Sequence, residues 1–192
     1  MEKRSRLSRS ERHEQLLELA RQMVRNEGSE ALTLGRLAQR AGVTKPIVYD
    51  HFGSRTGLLI ELYQAFDARQ NELIDVAIGE SGPDLGSRAG VLAATYVECV
   101  VTQGRELPGV VAALSGSPEL EQVKSEAEIA FRDKCRRALE PFAQGPLSDA
   151  KMAGMLGAAQ ALGRSAVRGE VSEAAAKREL AEIIASVVGR PG

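Results

Sequence analysis

The sequence predicts an all-α fold of about nine helices, and three observations support this prediction. Apolar residues recur with the 3.6-residue period of a helix along nearly the whole chain. Alternating patterns typical of strands are weak throughout, and there is no internal repeat or low-complexity segment. Glycine and proline separate the periodic segments, at positions where helices commonly end.

The charge of the chain is unevenly distributed. The 192 residues carry a net charge of −1, and 43% of them are hydrophobic, as is usual for a globular protein. Residues 1–60 hold 11 Lys or Arg against 7 Asp or Glu, whereas residues 61–192 hold 14 against 19. A basic amino-terminal part joined to an acidic body is typical of a protein that contacts nucleic acid with one end.

Cysteine usage and hydropathy predict a cytoplasmic protein that does not bind a membrane. Cys99 and Cys135 lack the spacing of metal ligands or of a disulfide framework. No apolar stretch approaches the ~20 residues of a membrane helix, and no secretory signal begins the chain. An enzyme is disfavoured, because there is no phosphate-binding glycine loop, nucleophile elbow or metal-spaced cluster. We therefore expect no metal and no cofactor.

Two short helices separated by a glycine follow the first helix, which is predicted over residues 10–27. The apolar residues of the second helix recur at i, i+3, i+4 and i+7, and they are Leu34, Leu37, Ala38 and Ala41. Gly42 then allows a sharp turn, and Thr44 is suited to cap the third helix. Val43, Val48 and Phe52 of that region are expected to face inward. The other side chains point outward, so that this short polar and basic helix is shaped to enter a major groove.

On these residues the chain resembles the TetR family of bacterial ligand-responsive repressors, over roughly residues 10–66. In that family a Tyr-x-His-Phe segment ends the recognition helix and a basic residue follows, here Tyr49, His51, Phe52 and Arg55. The resemblance implies that Tyr49, His51 and Arg55 hold phosphates of double-stranded DNA. It also implies a homodimer on a palindromic operator and a small-molecule effector. The remaining DNA-binding candidates are Thr33, Arg36, Thr44, Lys45, Pro46, Ile47 and Asp50.

Several candidates keep a second interpretation. Asp50 either accepts a hydrogen bond from cytosine or forms a salt bridge that orients Lys45 or Arg55. The alternative to phosphate binding by Tyr49 and His51 is that they are ordinary surface residues of a helix. Gly35 stands where members of the TetR family often have a polar or basic residue, so one DNA contact is either absent or shifted to Arg36. Gly57 weakens the start of the following helix. The basic run in residues 3–12 is either a solvated tail or an arm along the duplex.

We predict a DNA-binding domain over residues 1–54, with a basic arm at 1–9, and a regulatory and dimerisation domain over 55–192. The fourth helix is expected over residues 55–78, and the loop at 79–86 separates the two functional parts. The inward residues of the fourth helix are expected to be Leu58, Leu59, Leu62, Phe66, Leu73 and Ile74. Five more helical stretches follow, at residues 85–104, 108–114, 119–142, 149–168 and 173–188.

A polar stripe on the fifth helix is the candidate effector site. Thr95, Glu98 and Thr102 form either a solvated face or a few polar anchors in an apolar cavity. The predicted effector-binding residues are Tyr96, Glu98, Cys99, Thr102 and Phe131. Aromatic residues are scarce in this half of the chain, which favours an aliphatic or mixed ligand over flat cationic drugs.

The last two helices are predicted to form the dimer seam, because one of them has two apolar faces. The predicted seam consists of Met155, Ala158, Leu162, Ser165, Leu180, Ile184 and Val187. The alternative is that both apolar faces of this helix are buried inside a single chain. Cys135 lies beside three cationic residues and is either a redox switch or a half-buried structural thiol. The alternative to a small-molecule effector is a partner protein that docks on the carboxy-terminal bundle.

Overall fold

The computed structural model describes residues 7–190, which form nine α-helices and no strand. The helices, labelled α1 to α9 in chain order, are Arg9–Glu27, Leu34–Ala41, Lys45–Phe52, Arg55–Glu80, Leu85–Glu106, Val110–Ala113, Pro118–Leu139, Asp149–Val167 and Glu173–Val188. Two 3-10 turns, Ser29–Ala31 and Glu140–Phe142, follow α1 and α7. The all-α prediction is confirmed. None of these helices combines the length and hydropathy that a membrane span requires.

Helix bounds differ from the sequence prediction where capping decides them. A capping box starts α1 one residue early, since Ser8 Oγ accepts from the Glu11 amide and the Ser8 amide donates to the Glu11 carboxylate. Helix α4 continues through Gly79 to Glu80 and ends where Ser81 Oγ donates to the Ile78 carbonyl at 2.8 Å. The predicted loop at residues 79–86 is therefore shorter, because a single glycine does not end a helix.

The chain divides into two compact units. The amino-terminal unit comprises the residues up to Phe66 together with Arg105–Glu121, and the carboxy-terminal unit comprises Asp67–Gly104 with the residues from Gln122 onward. Helices α4, α5 and α7 therefore contribute residues to both units. This division by compactness differs from the predicted functional domains 1–54 and 55–192, which stay a prediction.

The amino-terminal unit has a core to which each of its helices contributes. Helix α1 packs against α2, and α2 packs against α3. The turn between α2 and α3 is made at Gly42, whose φ of 65° lies in the left-handed region that favours glycine. Side chains buried in this core include Leu16, Met23, Leu32, Leu37, Val48, Leu58 and Phe66. Burial of Val48 and Phe52 in this core sets the direction in which α3 presents its other face.

The carboxy-terminal unit has its own core, in which α8 packs against α9. Helix α5 supplies the small and apolar residues Ala89, Leu92, Ala93, Val97 and Val101. The prediction that Leu73 of α4 faces inward is wrong, because its side chain is 57% exposed, whereas its neighbour Ile74 is 4% exposed. Adjacent helical residues point about 100° apart, and at this place in α4 only Ile74 of the pair points into the core.

Candidate DNA interface and effector cavity

Helix α3 is anchored by its inner face and exposes its outer face. Val48 is fully buried and Phe52 is 6% exposed, whereas Ile47 is 39% and Tyr49 is 53% exposed. Lys45, Pro46 and Asp50 are exposed as well. The predicted base-edge residues therefore share an accessible surface, which we call the α3 face and define as residues 45–47, 49 and 50.

Two threonines stand at helix amino termini beside this surface. Thr33 caps α2, with its Oγ1 accepting a hydrogen bond from the Arg36 amide at 3.2 Å. Thr44 occupies the N-cap position of α3, but its hydroxyl makes no capping hydrogen bond to the backbone described there. Exposed amides at helix amino termini favour anions, so both threonines are placed where a phosphate group is stabilised.

The lysine of the α3 face crosses the start of α2. A Cβ atom placed on Gly35 would lie 3.3 Å from Lys45 Cε, so the lysine stem occupies the space that a side chain at position 35 would need. Gly35 has no side chain, and the Lys45 side chain occupies the space beside it. The sequence suggested a shift of this contact to Arg36, and the structure offers Lys45 for the same place.

Asp50 pairs with a residue that sequence reasoning did not consider. The Arg9 guanidinium lies 3.3 Å from the Asp50 carboxylate and also donates to the Asp50 carbonyl at 3.2 Å. The predicted orienting partners, Lys45 and Arg55, are not its partners. Arg9 belongs to the first turn of α1 and not to an arm. Residues 1–6 of the predicted arm lie outside the described residues, and Ser8 caps α1.

Arg36 is engaged within the amino-terminal unit. Its guanidinium donates to the Glu27 carboxylate at 2.7 Å and to the Ala31 carbonyl at 2.8 Å. Arg40 donates to the other Glu27 oxygen at 2.6 Å, and these cationic donors lower the pKa of Glu27. The pairing holds the end of α1 to α2, so Arg36 must exchange Glu27 for phosphate if it is to bind DNA.

Arg55 also has internal partners. Its Nε donates to the Leu32 carbonyl at 2.9 Å, and one terminal nitrogen donates to the Ser29 carbonyl at 2.7 Å. Glu30 is a more distant ion partner at 3.6 Å. Two carbonyl oxygens of the α1–α2 connection are thus held by one planar fork, which gives Arg55 a structural role beside the predicted phosphate contact.

We expect Arg55→Lys to lower the free energy of unfolding by about 1–3 kcal/mol, because an ammonium group cannot satisfy both carbonyls and one is left without a donor. Urea denaturation followed by circular dichroism measures the loss. Arg40→Lys, on an exposed ion pair, serves as the matched control and should change stability by less than ~1 kcal/mol. Parental stability combined with lost DNA affinity would assign Arg55 to phosphate alone.

His51 lies in a cluster with a second histidine. Its Nδ1 is 3.4 Å from His13 Nδ1, and His13 Nε2 is 2.8 Å from the Glu61 carboxylate. Burial, followed by electrostatic interactions with His13 and Arg9, lowers the pKa of His51. Sequence reasoning missed His13 and Glu61, since no local spacing links residues 13, 51 and 61.

The carboxy-terminal unit contains a small apolar cavity of about 30 Å³. Each lining residue is aliphatic, aromatic or sulfur-containing, and they come from α5, α7, α8 and α9: Leu92, Tyr96, Phe131, Cys135, Leu139, Met152, Met155, Leu156, Ala159, Leu180 and Ile184. The Tyr96 and Phe131 rings are 5.6 Å apart. A volume near that of one water molecule leaves room for a ligand only if side chains move.

Two of the five predicted effector-binding residues, Tyr96 and Phe131, line this cavity. Glu98, Cys99 and Thr102 are not among its lining residues, and their role in effector binding stays a prediction. Glu98 is exposed and pairs with Lys177 at 2.5 Å, and the hydroxyl of Thr95 donates to the Val91 carbonyl of its own helix. The polar stripe therefore follows the solvated interpretation, because its charged member has a surface partner.

Neither cysteine has the environment of a reactive thiol. Burial raises the pKa of Cys135 to about 12 and outweighs the opposing charge of Lys134. Burial likewise raises the pKa of Cys99 to about 12, and the Asp67 charge adds to the effect. Because the thiolate is the reactive form, the structural interpretation of Cys135 is favoured over a redox switch.

Three of the predicted dimer-seam residues are used inside the single chain. Met155, Leu180 and Ile184 are between 1% and 7% exposed and belong to the core of the carboxy-terminal unit. Little of their surface is left for a second chain, because they pack within this unit. Ala158, Leu162, Ser165 and Val187 are half-buried. The exposed residues of α8 are mostly small or polar and include Ala153, Gly154, Gly157, Gln160, Ala161 and Arg164, with Val167 as an apolar exception at 51% exposure.

The sequence similarity of this chain to known proteins lies in the amino-terminal unit. Residues 16–62 match the family model described as bacterial regulatory proteins, tetR family. Over 60 residues the chain is 40% identical to the HTH-type transcriptional activator FasR of Mycolicibacterium smegmatis. That match covers 31% of this chain and 27% of FasR, so the chain spans well under two thirds of this relative.

Solved structures share the fold over nearly the whole chain. A protein of unknown function from Rhodococcus sp. RHA1 superimposes with a TM-score of 0.79 and 21% identity, covering 99% of this chain and 100% of that one. The fatty acid degradation regulator FadR from Bacillus halodurans superimposes with a TM-score of 0.69 and 16% identity, covering 91% and 94%. These similarities establish the fold alone.

Proposed function

Because its residues 16–62 make this chain a member of the TetR family of bacterial regulatory proteins, we propose that it is a ligand-responsive transcriptional repressor. In this proposal a homodimer occupies a palindromic operator. The observation that carries it is the α3 face, where Ile47 and Tyr49 are exposed while Val48 anchors the helix from behind. An exposed isoleucine and tyrosine beside Lys45, on a helix anchored by Val48, suit the thymine methyl groups and phosphates of a major groove.

Two α3 helices of a dimer would enter successive major grooves about 34–36 Å apart. The seam of that dimer is proposed on the outward face of α8, with the half-buried Ala158, Leu162, Ser165 and Val187 at its edge. Gly154 and Gly157 support this placement, because nothing lies within 4 Å of the position of a Cβ on either. Small residues allow two helices to approach closely.

The effector is proposed to be an aliphatic compound that expands the cavity of the carboxy-terminal unit. Its lining offers apolar contacts from Leu92, Met152 and Leu180 and the two rings of Tyr96 and Phe131. The structurally similar FadR from Bacillus halodurans is a fatty acid degradation regulator, and a hydrocarbon ligand would be consistent with that similarity. A ligand that favours one arrangement by ~1–3 kcal/mol would change operator affinity about 5- to 150-fold.

The DNA-binding proposal is tested by selecting bound duplexes from random DNA and measuring the affinity of two variants. Tyr49→Ala should weaken all duplexes alike, by about 1.5–3 kcal/mol per subunit, because it removes a phosphate contact. Lys45→Ala should blunt the discrimination among duplexes by about 1–3 kcal/mol, because it removes a donor to guanine. Fluorescence anisotropy at fixed salt measures both effects.

The control for these variants is Leu73→Ala, which truncates a side chain as exposed as Tyr49 but on α4. It should bind DNA like the parent chain. If Tyr49→Ala and Lys45→Ala also bind like the parent, the α3 face is not the DNA interface. Since FasR is named an activator, a reporter gene placed behind the selected operator then decides between repression and activation.

A further inference from the structure

His13, His51 and Glu61 form a continuous chain of contacts through three helices of the amino-terminal unit. The Glu61 carboxylate of α4 lies 2.8 Å from Nε2 of His13 on α1. Nδ1 of the same imidazole lies 3.4 Å from Nδ1 of His51 on α3. The two rings are 5.4 Å apart, and His13 also contacts the Phe52 ring at 5.1 Å. These are the only histidines in the chain.

The number of hydrogens on the two imidazole rings determines which of these contacts can be hydrogen bonds. An ionised carboxylate only accepts, so Nε2 of His13 must carry a hydrogen to contact Glu61. The gap between the two Nδ1 atoms accommodates one hydrogen, shared as donor and acceptor. Two hydrogens make the pair of rings neutral overall. In that state Nε2 of His51 carries no hydrogen, and it cannot donate a hydrogen bond to a phosphate oxygen.

We propose that DNA binding adds one proton to the His13–His51 pair in each subunit, with His13 and Glu61 acting as positioning residues for a phosphate contact made by His51. This inference rests on the proposed function, in which His51 meets a phosphate. With the third hydrogen in place, every contact is satisfied: Nε2 of His51 donates to the phosphate, one hydrogen joins the rings, and Nε2 of His13 donates to Glu61. The proton comes from solvent, and the added charge lies between the phosphate and the carboxylate.

The surrounding charges decide when this proton is taken up. Arg9 of α1 opposes protonation of His51, whereas Asp50 of α3 and Glu61 of α4 favour it. Burial is the largest influence and lowers the pKa of His51 in the free protein. A bound phosphate raises it again, because an anion next to an imidazole stabilises the charged form.

The sign of the pH dependence follows from this difference. The pair has a higher pKa when DNA is bound, so the full affinity is present below the pKa of the free pair. It is lost as the pH rises toward the pKa of the complex. In that interval the affinity falls by about tenfold per pH unit for each subunit that takes up a proton.

The experiment measures the affinity of the selected duplex between pH 5.5 and 8, together with the heat of binding in buffers of different ionisation enthalpy. For the parent chain we expect affinity to fall with rising pH and the heat to reveal proton uptake. Glu61→Gln should move the midpoint to lower pH, because it removes the carboxylate charge. His13→Gln should flatten the profile, because its amide N–H can donate to Nδ1 of His51 and leave a hydrogen on Nε2.

Two further variants separate this inference from the proposed function. Tyr49→Ala should lower affinity at every pH while keeping the slope of the parent, and His51→Gln should lower affinity and abolish the slope. A parent chain that binds DNA without proton uptake overturns the proton linkage and leaves DNA binding by α3 intact. Unchanged affinity in both Tyr49→Ala and His51→Gln overturns the proposed interface itself. A uniform loss in Glu61→Gln and His13→Gln with the parental slope would reduce both residues to a structural role.

Discussion

Leu180→Ala is expected to lower the free energy of unfolding by about 2–5 kcal/mol, because it removes a buried side chain and leaves a void. Leu180 is 1% exposed on α9 and lines the apolar cavity of the carboxy-terminal unit. The void therefore joins an existing space of about 30 Å³ and has little opportunity to collapse. Urea denaturation followed by far-ultraviolet circular dichroism measures the loss.

The same variant tests whether the cavity accepts apolar ligands. A small hydrocarbon such as benzene should bind the enlarged cavity of Leu180→Ala and restore part of the lost stability, since a ligand that binds the folded state stabilises it by mass action. Ile129→Ala, which truncates a 48% exposed residue of α7, is the control and should change stability by less than ~0.5 kcal/mol. A loss below ~1 kcal/mol in Leu180→Ala would mean that α9 is not packed as described.

Helices were predictable from the sequence because each carries its own periodic apolar face and its own stop signals. Helix α9 has the predicted bounds, Glu173–Val188, since Ser172 caps its amino terminus and an apolar stripe runs along its length. The cap and the stripe are both local features. Helix α4 overran its predicted end because Gly79 is a weak signal without a competing cap.

Contacts between distant residues were not predictable. Periodicity shows that one face of a helix is buried, but it does not show which residues bury it. Leu180 and Ile184 gave the expected apolar stripe, but the structure covers it within the chain. Asp50 was correctly suspected of a salt bridge, yet its partner Arg9 lies 41 residues away. Glu98 had the spacing of a pocket residue, and a lysine 79 residues away holds it at the surface.

The candidate site divides in the same way. The α3 face was predictable, because a short helix with Val48 and Phe52 inward must expose the residues between them. The partners behind that face were not, since His13 and Glu61 belong to other helices and carry no motif. The residues proposed to contact DNA lie in a local sequence pattern, whereas the residues proposed to set the protonation of His51 reach it only through tertiary contacts.

Gly57→Ala is expected to destabilise the amino-terminal unit although it improves helix propensity. Alanine inside a helix is ordinarily favoured over glycine by roughly 0.5–1 kcal/mol. At Gly57, however, a Cβ would overlap the backbone carbonyl oxygen of Phe52, which cannot rotate away as a side chain would. That oxygen also accepts from the Ser54 amide at 2.6 Å, so the whole turn between α3 and α4 must shift. Overpacking of this kind costs about 1–3 kcal/mol, which exceeds the gain in propensity.

The shift would move the end of α3, and with it the α3 face, so Gly57→Ala should lose DNA affinity as well as stability. Urea denaturation and anisotropy with the selected duplex measure the two losses on one sample. Gly90→Ala is the matched control: Gly90 lies inside α5, and nothing lies within 4 Å of the position of its Cβ. It should therefore gain the ordinary ~0.5–1 kcal/mol. If both variants are stabilised equally, the close approach of Gly57 to Phe52 does not constrain the turn, and the glycine is merely a weak point in α4.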